Sequence, residues 1–220
     1  CVRPDDVGAG HSSIVISHVG GQKVYVQNTG GGPMGIAADS GQLLWSYDMR
    51  PPTAFIPTPV IQDDYVFTVA GYKLGGALLQ QVPQAAGGVA IKEIYGVKSE
   101  LGNKHGGVIR VGDQLYAGAE DQNILYCADM LTGEVRWKKR GSGANSIAVI
   151  AADGKLYVRF QNGVVAMGKL DPDGFEEVSS FTTPGSGDSQ QPSWAHPVIS
   201  NGQLLLREGD AILCYRISKS

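Results

Sequence analysis

Short apolar runs alternate with breaks rich in Gly, Asp and Asn along nearly the whole chain. "VYVQ", "YVFTV", "QLYAG", "KLYVRF" and "QLLLRE" are examples, and β-branched or aromatic runs bounded in this way read as strands. No window of a dozen residues sustains an apolar stripe at i, i+3, i+4, i+7, so the pattern predicts no long helix. The strands also recur in order: an apolar stretch ending in Ile or Val, a polar turn, then a second strand. "SSIVISHVGGQKVYVQ", "PTPVIQDDYVFTV", "GGVIRVGDQLYAG", "IAVIAADGKLYVR" and "AHPVISNGQLLLR" are the five instances. Their shared positions, Ile16, Ile61, Ile109, Ile150 and Ile199, lie 45, 48, 41 and 49 residues apart. Repeats of this length, each made of several strands, mark β-propeller blades. The predicted fold is therefore all-β, with four-stranded antiparallel blades near residues 11–50, 55–100, 104–141, 145–184 and 194–218 of one propeller domain or fragment.

A second pattern sits inside the first. "MGIAADSGQLLWSYD" and "CADMLTGEVRWKKRG" align without a gap, Ser40-Gly41 on Thr132-Gly133 and Trp45 on Trp137. Each reads as the last hairpin of a blade, with Gly taking the positive φ and an Asp or Ser side chain capping backbone N–H groups. Trp45 and Trp137 then fall on the outermost strand and dock the neighbouring blade. In the fourth unit "DPDGFEEV" places Val178 where the Trp would be, and the second unit, "QAAGGVAIKEIY", keeps less of the frame. The last unit ends on "AILCYRISKS" as its third strand, so four blades are expected complete and the fifth incomplete. This predicts part of a seven- or eight-bladed ring completed by further blades or another chain, with a closed five-bladed ring as the alternative.

Composition changes this picture little. Hydrophobic residues make up 42% and charged ones 18%, which suits a globular chain rather than a disordered one. The 31 glycines follow no three-residue period and fit many tight turns. A net charge of −3 supplies no basic field for nucleic acid, and no apolar run is long enough for a membrane span. Cys127 and Cys214 lie in apolar runs and are expected as small core residues; Cys1 completes an odd count with no CxxC.

The D-x-x-[ST]-G-x-[LV]-x-W frame and strands of the form "PVIxxGxLYV" resemble the quinoprotein-like (PQQ-binding-like) β-propeller repeat family. The resemblance runs from about Gly10 to Ile217. Phrases such as "IPTPVIQDDYVFTVAGYKLGGALL" and "WAHPVISNGQLLLREGDAILCYRI" are similar to its secreted, planctomycete-type bacterial members. It implies a periplasmic or secreted protein that acts as a non-catalytic binding or scaffold module with a protein partner. The alternative it implies is a dehydrogenase holding PQQ and calcium on the propeller axis. Such enzymes use adjacent cysteines and an Asp base; this chain has no Cys-Cys pair and no Asp in the inner-strand register, so no cofactor is expected.

Several motifs invite chemistry. "GGGPMG", residues 30–35, satisfies G-x-G-x-x-G, but only five residues separate Gly35 from the turn at Gly41, too few for the helix a dinucleotide site needs; it reads as a loop between strands. Asp5-Asp6, Asp63-Asp64 and "DPDG" read as turns rather than calcium loops. His11, His105 and His196 precede the Ile register by five, four and three residues, which sets them on one rim of the inner strands with Trp194. His18 is expected in the turn at the opposite end. Gln27, Arg159 and Arg207 are read as one register at the end of the second strand. Such a ring of imidazole, guanidinium and indole suits an anionic or aromatic ligand, and a metal less well because three unequal offsets do not guarantee convergence, while ordinary hydrogen bonding to loops and water is the competing account. The segments "AGYKLGGALLQQ" and "TTPGSGDSQQPSW" are expected as exposed loops available to partners.

Overall fold

The protein is described by a computed structural model over residues 8–186 and 192–217. Five antiparallel sheets follow one another along the chain, each a meander in sequence order. The first holds β1 (Val15–Val19), β2 (Gln22–Thr29), β3 (Gly32–Ala37) and β4 (Leu43–Ser46). The second holds β5 (Val60–Gln62), β6 (Tyr65–Ala70), β7 (Gly75–Pro83) and β8 (Val89–Lys98), followed by a 3-10 turn at Ser99–Leu101. The third comprises β9 (Val108–Val111), β10 (Gln114–Gly118), β11 (Ile124–Asp129) and β12 (Val135–Arg140). The fourth comprises β13 (Ile147–Ala152), β14 (Lys155–Phe160), β15 (Val164–Lys169) and β16 (Glu177–Thr182). The fifth has three strands: β17 (Val198–Ser200), β18 (Gln203–Glu208) and β19 (Ala211–Arg216). These are propeller blades, and no α-helix occurs among the described residues.

The described residues form two compact units, one running through Lys104 and including Met130–Glu134, the other drawn from His105–Asp129 and Val135–Ser220. In the first unit, period-two burial turns Val24 and Val26 of β2 onto Val66 and Leu79 of the second sheet, with Trp45 among them. The Trp45 indole N–H donates to Gln81 Oε1 at 3.2 Å, and Gln81 Nε2 donates to Ser17 Oγ at 2.7 Å. In the second unit, Leu125 and Cys127 pack on Leu156, Val158 and Phe160, with Trp137 against that cluster. Trp137 stacks on Phe175 at 6.4 Å between ring centroids.

The turn chemistry follows the residues. Gly41 and Gly133 take φ of +72° and +68°. Ser40 Oγ accepts from the Gln42 N–H at 3.4 Å, and Thr132 Oγ1 accepts from the Glu134 N–H at 3.2 Å. A β-bulge follows close to the turn in the first, third and fourth sheets, at Gly35/Ile36, Cys127/Ala128 and Met167/Gly168, while in the second sheet the register shifts at Gly76/Leu78 and Leu78/Leu79.

Five expectations are corrected. "GGGPMG" runs into β3 rather than forming a loop: a Cβ at Gly32 would lie 2.1 Å from the Tyr47 carbonyl, and one at Gly35 2.2 Å from Trp45 Nε1, so the glycines admit close neighbours. Most of "AGYKLGGALLQQ" is likewise strand, because residues 75–79 of β7 are buried; only residues 71–74 turn. His18 lies within β1, opposite Lys23, and is exposed. Val178 does not replace the Trp. Trp45 pairs with Gly35 and Trp137 with Cys127, and the matching pair in the fourth sheet is Met167 with Ser179, because that hairpin is longer and the bulge falls on Val178. Cys127 is buried as expected, but Cys214 is exposed, since β19 turns Leu213 and Tyr215 toward the fourth sheet and Cys214 away from it. Cys1 and residues 187–191 of "TTPGSGDSQQPSW" lie outside the described residues.

Candidate functional site

Strand β18 alternates Leu204, Leu206 and Glu208 onto its buried face, so the strand that packs the fifth sheet also carries a carboxylate inward. Arg159 reaches it from β14, and its side chain is 0% exposed. Arg159 Nη2 lies 3.0 Å from Glu208 Oε2 and also donates to the Arg207 carbonyl, while Nη1 donates to the Ala195 carbonyl at 2.9 Å. Its Nε has no hydrogen-bond partner among the described residues. Ser193 Oγ sits 2.6 and 2.8 Å from the two Glu208 oxygens, and Thr183 Oγ1 donates to Oε2 at 2.7 Å. Burial alone would raise the Glu208 pKa, but the hydroxyl donors and the Arg159 charge outweigh it and hold the carboxyl below its ordinary value. The pair is a closed charge network that pins residues 192–195 to β14 and β18.

The pinned segment carries a more open group on its outer side. Trp194 remains 47% exposed, its indole N–H donates to Gln161 Oε1 at 3.0 Å, and its ring meets that of His105 at 4.4 Å between centroids. His196 Nε2 lies 2.9 Å from the His105 carbonyl; a carbonyl only accepts, so this nitrogen carries the proton. Gly107, at φ +72°, leaves room for the imidazole, since a Cβ there would fall 2.9 Å from His196 Cε1. A cavity of about 180 Å³ opens beside Trp194, lined also by Ser193, Ala195, Arg207 and Glu208. Arg207 is exposed at its edge, with Nε donating to the Gly209 carbonyl at 3.2 Å.

Five of the seven residues read as a rim therefore gather in the second unit: His105, His196, Trp194, Arg159 and Arg207. His11 and Gln27 belong to the first unit and do local work. The His11 N–H donates to the Phe55 carbonyl at 2.8 Å, and Gln27 Nε2 donates to the Ser12 carbonyl at 3.3 Å. The shared register is also corrected. Gln27 and Arg159 each stand two residues past the partner of the reference Ile, Tyr25 and Tyr157, but Leu206 holds that position in β18 and Arg207 faces the other way. Sequence reasoning missed Glu208, Ser193, Thr183 and Gln161. For Glu208 the signal was present, as the third inward position of "QLLLRE".

The cavity is below the roughly 300–1,000 Å³ of small-molecule and cofactor pockets. Its one carboxylate, Glu208, faces Arg159 and Thr183 through Oε2 and Ser193 through both oxygens.

The sequence matches the family described as outer membrane protein assembly factor BamB, over residues 3–139 and 84–174. No curated protein matches it. Among solved structures, BamB from Moraxella catarrhalis is 17% identical, with a TM-score of 0.64 over 93% of this chain. The chain spans 56% of that protein's length. The Cps50 (Swd1) β-propeller domain of Myceliophteria thermophila is 13% identical with a TM-score of 0.63, covering 93% of this chain and 70% of that one. The computationally designed Ika8 protein is 12% identical with a TM-score of 0.52, covering 94% of this chain and 71% of that one. Likeness at these identities speaks to the fold.

Proposed function

The chain belongs to the PQQ-like β-propeller family of outer membrane protein assembly factor BamB, and from that premise we propose that it is a non-catalytic binding and scaffold module of the cell envelope, periplasmic or secreted. The observation that carries this reading is the rim of the second unit. There a half-exposed indole stands on a segment that the buried Arg159–Glu208 pair ties to β18, and β18 itself carries an exposed guanidinium, Arg207. Exposed aromatic and Arg side chains on a fixed backbone are what protein interfaces use as anchors. The chemistry suits a polypeptide partner that brings a carboxylate to Arg207 and an apolar or planar group to Trp194. The first and fifth sheets each expose apolar side chains, Ile16 and Ile212 among them, on which a partner protein or further blades of a longer polypeptide would pack.

A photo-crosslinking residue at position 194 tests the reading, with the same residue at Val178, itself 67% exposed, as the control. Expressed in an envelope compartment, the Trp194 variant is expected to give a discrete polypeptide adduct that the Val178 variant lacks and that Arg207→Glu abolishes. Equal crosslinking at both positions would overturn it. So would a quinone absorption band above about 300 nm that travels with the natively purified protein.

A further inference from the structure

In the first and third sheets, the pair just before the β-bulge places a tryptophan opposite a small residue, Gly35–Trp45 and Cys127–Trp137. Both rings fill the space toward the sheet that follows. The fourth sheet has the same bulge, but its pair is Met167–Ser179. Phe175, the aromatic ring of that hairpin, turns the opposite way: it stacks on Trp137 and occupies the space over Gly168, where a Cβ would lie 2.4 Å from its Cε2. At the position where Trp45 and Trp137 stand, the fourth sheet thus offers no ring to the fifth; Tyr157 and Phe181 border the gap from other positions. That gap is a cavity of about 210 Å³ lined by Tyr157, Val165, Met167, Ser179, Leu204 and Tyr215, among others.

We propose that this cavity is a binding site for a single aromatic ring system of indole size. Three features carry the assignment. The register is the one at which Trp45 and Trp137 lie in this same chain, so the surrounding strands already have the geometry that receives an indole. The walls are mostly apolar and aromatic, and Phe181 and Tyr215 meet at 4.8 Å with planes inclined by 51°, a tilted pair a third ring can join. Met167 fills part of the room that Gly35 leaves open in the first sheet, and an unbranched thioether is the side chain best able to move aside. The Ser179 hydroxyl supplies an acceptor for the ring N–H, as Gln81 does for Trp45. The volume is below the roughly 300 Å³ at which drug-sized ligands begin to fit, which limits the occupant to one small ring system.

The test uses the full chain with ¹³C-methyl methionine, whose four methyl signals come from Met34, Met49, Met130 and Met167. Met167→Ala assigns the fourth. Indole is expected to shift the Met167 methyl saturably upfield and leave the other three in place. N-acetyltryptophanamide separates the two sources of the ring. An equal shift assigns the site to a tryptophan side chain of a partner polypeptide, and a shift with indole alone assigns it to a free aromatic compound. Ser179→Trp should move the Met167 methyl without ligand and abolish the indole response. No saturable shift at Met167 with either probe, or equal shifts of all four methyls, overturns the proposal, and the wild-type titration decides this even if Ser179→Trp fails to fold.

Discussion

Arg159 is the largest fully buried side chain among the described residues, and its charge is tolerated only because Glu208 and two main-chain carbonyls face it. Removing one partner of a buried ion pair leaves the other charge uncompensated, so Glu208→Ala is expected to cost about 3–5 kcal/mol in urea denaturation. The same carboxyl dictates an acid response. Its folded pKa lies below the ordinary 4.5, so the unfolded chain takes up this proton first as pH falls. The stability it supplies is complete above about pH 4.5 and is lost as pH drops through the lower folded value. Stability measured from pH 6 to 3 should therefore fall more steeply for the wild type than for Glu208→Gln. Equal slopes would mean that the carboxylate is not held as described. Thiols provide a second check. Burial pushes the Cys127 thiol up to about 11, while Cys214 is exposed, so iodoacetamide at pH 8 should modify Cys214 and spare Cys127 until the protein unfolds. Legibility at this scale turned on alternation. Arg207 and Cys214 drew attention by residue type, but the period of β18 and β19 faces both outward, and Glu208, one position on from Arg207, is the residue that points in.

The outer hairpins show why a sequence frame can be right about a blade and wrong about a side chain. Ser40-Gly41 and Thr132-Gly133 were readable because the chemistry of a tight turn is local. The bulge after it was not, since an extra unpaired residue leaves no mark in apolar alternation; in the fourth sheet the longer hairpin shifts the Trp register from Val178 to Ser179. The glycines of "GGGPMG" were likewise opaque, because their reason lies across space in Tyr47 and Trp45. Gly35→Ala therefore tests the element. Its methyl would intrude on the Trp45 ring, and overpacking of this kind costs about 1–3 kcal/mol. Gly174→Ala, with nothing within 4 Å and no left-handed φ, should be neutral or nearly so. Gln81→Leu keeps the volume but strands the Trp45 N–H and the Ser17 hydroxyl, for a loss of about 1–3 kcal/mol in the same denaturation experiment.

For the whole chain, the recurring Ile positions announced five blades because every blade repeats the same inner hairpin. The rim was legible only in part, because which residues converge depends on loops such as residues 105–107 and 192–196 that follow no repeat. The first and fifth sheets share a property: a row of apolar side chains facing away from the packed side. In the first sheet it runs through Ile16, Tyr25 and Ile36, successive partners across three strands, with Ile16 50% exposed. In the fifth it runs through Val198, Leu205 and Cys214, with Ile212 beside it at 75% exposure. Side chains already in water contribute little to folding, so Ile16→Lys and Ile212→Lys are each expected to change stability by less than about 0.5 kcal/mol. Leu206→Lys, from the buried face of the same strand pair, should prevent folding, because it forces an unpaired charge among Tyr157, Val165 and Leu204. Sedimentation velocity gives the complementary readout. If a second copy covers either row in solution, the matching Lys variant will sediment more slowly at high concentration than the wild type and will also lose stability beyond that limit. If the rows are free, both variants will match the wild type in sedimentation at low concentration and in denaturation midpoint, and the apolar rows are then surfaces the protein keeps for something other than itself.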